Sequence, residues 1–83
     1  MESTLRLQVL LFASYADAFG ATEVAVEIPE GATVRDLLSA VRAMVPNATL
    51  PPHPLIAVNQ RYAAPGDLVR SGDEVALIPP VAG

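Results

Sequence analysis

The sequence predicts an α+β fold, in which a mixed sheet of four to five strands carries one main helix packed on one face. Several short runs alternate apolar and polar residues, as strands do, and a single longer run places apolar residues at helical spacing. The chain has 83 residues, which is the size of one small domain. The sequence contains neither an internal repeat nor a linker.

Strand and helix signals follow one another along the chain, separated by turn-forming residues such as PEGA at 29–32. A proline-rich loop is expected at 46–54. Residues 65–73 are expected to hold one helical turn and then a tight turn. The predicted elements are a strand at 4–13, a short helix at 14–20, a strand at 22–28, a helix from 33 to 46, and strands at 55–58, 61–63 and 74–79.

The main helix has the clearest local signals. Thr33 is a good N-cap, and Asp36 three residues later resembles a capping box with Asp in place of the usual Glu. Apolar residues then recur at i, i+3, i+4, i+7 and i+11, and Pro46 stops the helix. This apolar stripe must be covered by one face of the sheet. It consists of Val34, Leu37, Leu38, Val41 and Val45.

The first and last strands are the most apolar, so we expect them to pair in parallel at the centre of the sheet. The first two strands are expected to form an antiparallel hairpin. One helix on such a sheet is the arrangement of the β-grasp, or ubiquitin-like, fold. Because strand signals end at Pro79, the expected organisation is a β-grasp domain at 1–79 followed by an extended C-terminal tail at 80–83.

Strand alternation leaves apolar side chains on the face that the helix does not cover. Phe12 lies on the side of Arg6 and Gln8, and Ile78 lies on the corresponding side of the last strand. Tyr62, on the short return strand, completes the cluster. Scattered apolar residues are normal on protein surfaces. A cluster beside the C-terminal tail instead favours a partner-binding patch.

The last residues are an unusual end for a domain. Pro79 and Pro80 stop strand pairing and stiffen the exit. Val81, Ala82 and Gly83 are small and uncharged, and residues 79–83 span roughly 17 Å when extended. Glycine has no Cβ, so a carboxylate on Gly83 is open to attack from all sides. Adenylation by ATP, followed by a sulfur nucleophile, would give a thiocarboxylate. A disordered end is the alternative.

Composition argues against several other functions. Without cysteine there is no disulfide framework and no thiolate metal site. The net charge is −4 and the five arginines are scattered, which argues against nucleic acid. The apolar run at 9–13 is too short for a signal peptide or a membrane span, so we expect a soluble cytoplasmic protein. We expect His53 to be solvated, Asp67 and Asp73 to cap turns, and no metal to bind.

Four segments together resemble the small subunit of molybdopterin synthase, the MoaD family of ubiquitin-like sulfur carriers. The segment GDEVA, followed by IPPV and a small-residue tail, is the specific part, whereas PEGATV is shared by other β-grasp sulfur carriers. The segments are VLLFAS at 9–14, EVAVEIPEGATVRDLL at 23–38, AVNQ at 57–60 and SGDEVALIPPVAG at 71–83.

The resemblance implies a function for the tail. An activating enzyme of the MoeB type would use ATP to adenylate Gly83, and sulfur transfer would make the thiocarboxylate. The tail would insert into the large subunit, of the MoaE type, where sulfur passes to cyclic pyranopterin monophosphate to form the molybdopterin dithiolene. The family's interface positions correspond to Phe12, Tyr62 and Ile78, and its complex is a heterotetramer. The carrier itself is expected to bind no cofactor, nucleic acid or membrane.

One departure and three alternatives accompany this interpretation. The family ends in Gly-Gly, whereas this sequence ends in Val-Ala-Gly. Either one glycine suffices or a last glycine is missing. If a glycine is missing, the carboxylate stops roughly 3.5 Å short of its working position, and the chain would bind partners without carrying sulfur. The alternatives are a sulfur carrier for thiamine thiazole synthesis, a ubiquitin-like modifier joined to target lysines, and a non-covalent β-grasp adaptor that does not need Gly83.

Overall fold

The fold is that of a computed structural model, which describes residues 3–47, 50 and 54–79. The α+β prediction is confirmed, with one main helix and a second, short one. The elements are β1 Thr4–Leu11, α1 Ser14–Phe19, β2 Glu23–Pro29, α2 Val34–Met44, β3 Leu55–Val58, β4 Arg61–Tyr62 and β5 Glu74–Ile78.

The five strands form one mixed sheet in the order β2-β1-β5-β3-β4. The central pair, β1 and β5, is parallel, and the three other pairs are antiparallel. The prediction that the first and last strands pair in parallel at the centre is therefore confirmed. The chain reaches β5 through α2 and the β3–β4 hairpin, as in a β-grasp fold.

The core lies between one face of the sheet and the two helices. From α2 come Val34, Leu37 and Val41, which the helical spacing predicted to face the sheet. The strands contribute every second residue, such as Leu7 and Val9 of β1. Because alternate strand residues enter this core, the intervening residues all lie on the opposite face, which no described helix covers.

The start of α2 is held by the predicted capping box. The Asp36 amide donates to Thr33 Oγ1 at 3.3 Å, and the Thr33 amide donates to Asp36 Oδ2 at 3.0 Å. The Thr33 hydroxyl also donates to Asp36 Oδ2, at 3.1 Å. The hydrogen bonds from the Thr33 amide and hydroxyl favour the ionised carboxylate and hold the pKa of Asp36 below its usual range. Both groups thereby satisfy amides that a helix start otherwise leaves without partners.

The predicted helical turn within residues 65–73 is wrong. A β-turn forms instead, in which the Asp67 amide donates to the Ala64 carbonyl at 3.0 Å. Beyond it, Leu68 forms an isolated β-bridge with Thr33. The Arg35 amide donates to the Pro65 carbonyl at 3.0 Å. The Pro65 and Asp67 carbonyls thus accept from amides at the start of α2, so they are not available for a helical turn. The predicted tight turn at 71–73 is confirmed.

Four strands end one or two residues from the predicted position, among them β2, which ends at Pro29 rather than at residue 28. The first strand stops at Leu11 rather than at residue 13, because Ala13 has a φ of 51° and begins the turn into α1. The strand β4 stops at Tyr62 rather than at residue 63. The last strand stops at Ile78, since Pro79 has no amide hydrogen for the ladder. The predicted domain boundary falls where the described residues end, so it stays a prediction.

The capping box allows a direct test. Thr33→Ala removes the oxygen that accepts from the Asp36 amide, so we expect the free energy of unfolding to fall by about 1 kcal/mol. Urea denaturation followed by circular dichroism measures this loss. The control is Ser39→Ala, an exposed position in the same helix, which should change stability by less than about 0.5 kcal/mol. Equal losses in the two variants would show that the cap contributes no stability.

Candidate functional site

The face of the sheet without a helix carries a groove, which we call the apolar groove. Its floor and walls come from β1 and the residue after it, from the β3–β4 hairpin, and from β5. The lining residues are Leu10, Phe12, Ala57, Gln60, Tyr62, Glu74, Ala76 and Ile78.

Strand register explains why a groove forms here. Leu10 pairs with Ala76, and Ala76 pairs in turn with Ala57. Ala57 is opposite Tyr62 in the hairpin. These four residues therefore form one row across the sheet. Two alanines in the middle of the row, with larger side chains at its ends, leave a depression between them.

The predicted patch residues all line this groove. Phe12 and Ile78 lie on the uncovered face, as strand alternation predicted, and Tyr62 joins them. Phe12 is 47% exposed and Tyr62 is 74% exposed, whereas Ile78 is partly buried. Leu55, which pairs with Ile78 at the edge of the groove, is 39% exposed. A partner that covers these side chains gains free energy of about 25 cal/mol per Å² of apolar surface.

The groove also occupies a definite position relative to the C-terminus. Ile78 is the last residue of β5, and Pro79 is the last residue that the structure describes. The chain therefore leaves the sheet at the edge of the groove. Gly83 and the other predicted tail residues, Pro80, Val81 and Ala82, lie outside the described residues.

The β3–β4 turn sets the position of one wall. Asn59 and Gln60 have φ values of 53° and 70°, so the turn is of the tight kind that needs two left-handed residues. The Asn59 side chain fastens the turn to β5: its Nδ2 donates to Asp73 Oδ1 at 2.9 Å, and its Oδ1 accepts from the Glu74 amide at 3.0 Å. The adjoining strand β4 then places Tyr62 in the groove.

The other candidate residues have structural explanations. Asp67 Oδ2 accepts from the Ala64 amide at 2.8 Å, and Asp73 Oδ2 accepts from the Arg70 amide at 2.8 Å, so both cap turns as expected. His53 lies outside the described residues. Among residues 3–47, 50 and 54–79, no group of three His, Cys, Asp or Glu side chains is placed to hold a metal ion. In the same part of the chain no helix is long and apolar enough to cross a membrane.

Five lining residues, among them Leu10 and Ala76, were not predicted to belong to the patch. Ala57 and Gln60 enter through the β3–β4 hairpin, and Glu74 enters at the start of β5. The available signal was alternation along β5, which puts Glu74 on the side of Ile78. Ala57 required the register between β3 and β5, which a four-residue strand does not reveal.

Known proteins resemble this chain in both sequence and fold. A profile described as the ThiS family matches residues 9–83. The chain belongs to the ThiS family. It is 35% identical over 82 residues to the molybdopterin synthase sulfur carrier subunit of Chlamydomonas reinhardtii, covering 95% of this chain and 99% of that protein. The resemblance to the MoaD family of sulfur carriers is thus confirmed.

A relative with a different name has the same percentage identity to this chain. Small archaeal modifier protein 1 of Haloferax volcanii is 35% identical over 82 residues, covering 88% of this chain and 94% of that one. The crystal structure of that protein superposes with a TM-score of 0.81 at 32% identity, covering 93% and 99% of the two chains. The β-grasp fold is therefore shared by this chain and by small archaeal modifier protein 1.

The turn hydrogen bonds give a second test. We expect Asn59→Ala to lower the free energy of unfolding by about 2 kcal/mol, because it removes two hydrogen bonds and leaves alanine in a left-handed conformation. Asn59→Gly also loses both hydrogen bonds but accepts the positive φ, so its loss should be smaller. Thermal unfolding of the three proteins makes the comparison. Unchanged stability in Asn59→Ala would show that this side chain does not hold the hairpin.

Proposed function

We propose that this chain is the sulfur carrier subunit of a molybdopterin synthase. The similarity to such subunits supports a sulfur carrier role. The observation that carries the proposal is the position of the apolar groove, at the edge where the chain leaves β5. A surface that docks there would hold the C-terminal tail close to its own active site. We place the reaction in the cytoplasm, where ATP is available.

The chemistry is assigned to the carboxylate of Gly83. An activating enzyme of the MoeB type joins this carboxylate to the AMP part of ATP, which releases pyrophosphate. Hydrosulfide, as the sulfur nucleophile, then attacks the acyl carbon, AMP leaves, and loss of a proton gives the thiocarboxylate. No side chain of the carrier takes part, in keeping with a groove that is lined mainly by apolar residues. The carrier holds no cofactor in this proposal, and ATP is the substrate of its partner.

The second half of the cycle takes place on the large subunit, of the MoaE type. The apolar groove docks on it through Phe12, Tyr62 and Ile78.

Pro79 and Pro80 direct the tail, and Val81 and Ala82 pass through a narrow entrance. Residues 79–83 reach roughly 17 Å when extended, which is enough to enter a neighbouring active site. The thiocarboxylate sulfur then passes to cyclic pyranopterin monophosphate, and two transfers complete the dithiolene. The assembly is a heterotetramer.

A ubiquitin-like modifier is the second candidate function. It is favoured by the similarity to small archaeal modifier protein 1 in both sequence and structure. Both functions need the same acyl adenylate and differ in the nucleophile that follows. Intact-mass analysis of the protein from its native cells separates them. One oxygen exchanged for sulfur supports the carrier, whereas an isopeptide bond to target lysines supports the modifier. A carrier for thiamine thiazole synthesis would also gain sulfur but would not bind the MoaE-type subunit.

Removal of Gly83 tests the assigned terminus. We expect the shortened chain to fold normally and to acquire no sulfur from the activating enzyme, ATP and a sulfur donor, because the next residue, Ala82, carries a methyl group beside its carboxylate. Mass spectrometry reports the loading and circular dichroism the fold. The matched control is the chain extended by one glycine, as in the family pattern. Normal loading of the shortened chain would contradict the role of Gly83.

Phe12→Arg tests the docking surface. A guanidinium group placed in an apolar interface without a partner should weaken binding to the large subunit by about 3 kcal/mol, or roughly a hundredfold in Kd. Calorimetric titration measures the affinity. Leu68→Arg is the control, because Leu68 is 56% exposed but does not line the apolar groove. If both variants bind as the unmodified chain does, the large subunit does not dock on the apolar groove.

A further inference from the structure

The apolar groove contains one charged residue among those that line it, Glu74. The β3–β4 turn holds both the amide and the carbonyl of Glu74. The Glu74 amide donates to Asn59 Oδ1 at 3.0 Å, and the Glu74 carbonyl accepts from the Asn59 amide at 2.8 Å. The side chain therefore leaves the sheet from a defined point. It is exposed, and within the described part of the chain no hydrogen bond or ion pair to the Glu74 carboxylate is found.

The neighbours of Glu74 on this face do not neutralise it. Its cross-strand partner on β1 is Gln8, which is uncharged. The nearest cation on the same face of β1 is Arg6, which lies two residues before Gln8 and is opposite Glu27 of β2. Glu23, opposite Leu10, adds a second negative charge beside the row that forms the groove. The edge of the groove is therefore negative, while its floor is apolar.

This combination restricts what can bind. A partner that covers the groove takes water away from the Glu74 carboxylate. If the partner offers apolar atoms alone, the lost hydration is not replaced, and binding is weakened. If the partner offers an arginine or lysine at that point, the charge pair replaces the hydration, directs the docking and penalises other partners.

We propose that Glu74 is the charge determinant of the apolar groove, which selects a protein surface that presents an arginine or lysine beside apolar side chains. The inference rests on the proposed function, because it takes the groove as the docking surface for the large subunit. It adds a charged specificity residue to an interface that the apolar residues alone would define.

The test compares two charge-neutralising variants. Glu74→Gln keeps the size of the side chain and removes its charge. Glu27→Gln does the same on the same face but outside the groove, about 12 Å away by strand spacing, which exceeds the screening length at physiological salt. Calorimetric titration with the molybdopterin synthase large subunit of the same organism gives Kd for each variant at physiological and at high salt. Thermal unfolding checks that both variants fold.

We expect Glu74→Gln to raise Kd at physiological salt by at least about tenfold and to show a flatter salt dependence than the unmodified chain. Glu27→Gln should keep Kd within about twofold. A Kd for Glu74→Gln equal to that of the unmodified chain, while Phe12→Arg abolishes binding, overturns this inference and leaves the docking surface intact. Equal weakening by Glu74→Gln and Glu27→Gln also overturns it, because the effect is then one of net charge. Unchanged binding of Phe12→Arg overturns the docking surface, and this inference with it.

Discussion

The parallel pairing of β1 with β5 organises this molecule. Val9 is opposite Val75 and Leu11 is opposite Leu77, and all four side chains are buried beneath the helices. Because paired parallel strands point the same way, their C-terminal ends lie at the same edge of the sheet. The residue after β1 remains attached there, since the Phe12 amide donates to the Leu77 carbonyl at 3.3 Å. One strand pairing thus brings together the core, the apolar groove and the exit of the C-terminal chain.

The two faces of the sheet differ because the fold has a single long helix, which covers only one of them. An 11-residue helix is about 16 Å long, which suffices for one face of a five-stranded sheet. The opposite face of the sheet is covered by no described helix and is exposed to water. Where β1 begins and along β2, this face carries charged and amide side chains, such as Arg6, Gln8 and Glu27. The other end of the same face stays apolar, so the groove is a local departure from an otherwise polar surface.

Local patterns predicted most of the fold and part of the site. Alternation with a period of two placed Phe12 and Ile78 on the uncovered face without knowledge of any partner strand, because the period is a property of each strand alone. The capping box could be predicted because it also depends only on residues close together in the sequence. The segment at 64–68 was not, because its backbone pairs with residues 33–35, and such distant pairing leaves no local signal. The hairpin turn Asn59-Gln60 lacks glycine, and its conformation depends on bonds to Asp73 and Glu74.

An exposed apolar groove could also bind the same groove on a second copy of the chain. Three of the five large apolar side chains exposed in the described residues, Phe12, Leu55 and Tyr62, lie at this end of the sheet. Two copies that docked groove to groove about a twofold axis would bring both Glu74 carboxylates into one interface. Neither carboxylate would meet a cation there, and each copy carries a net charge of −4. The charge that favours a cationic partner therefore also opposes pairing with itself, which allows the apolar surface to remain exposed between partners.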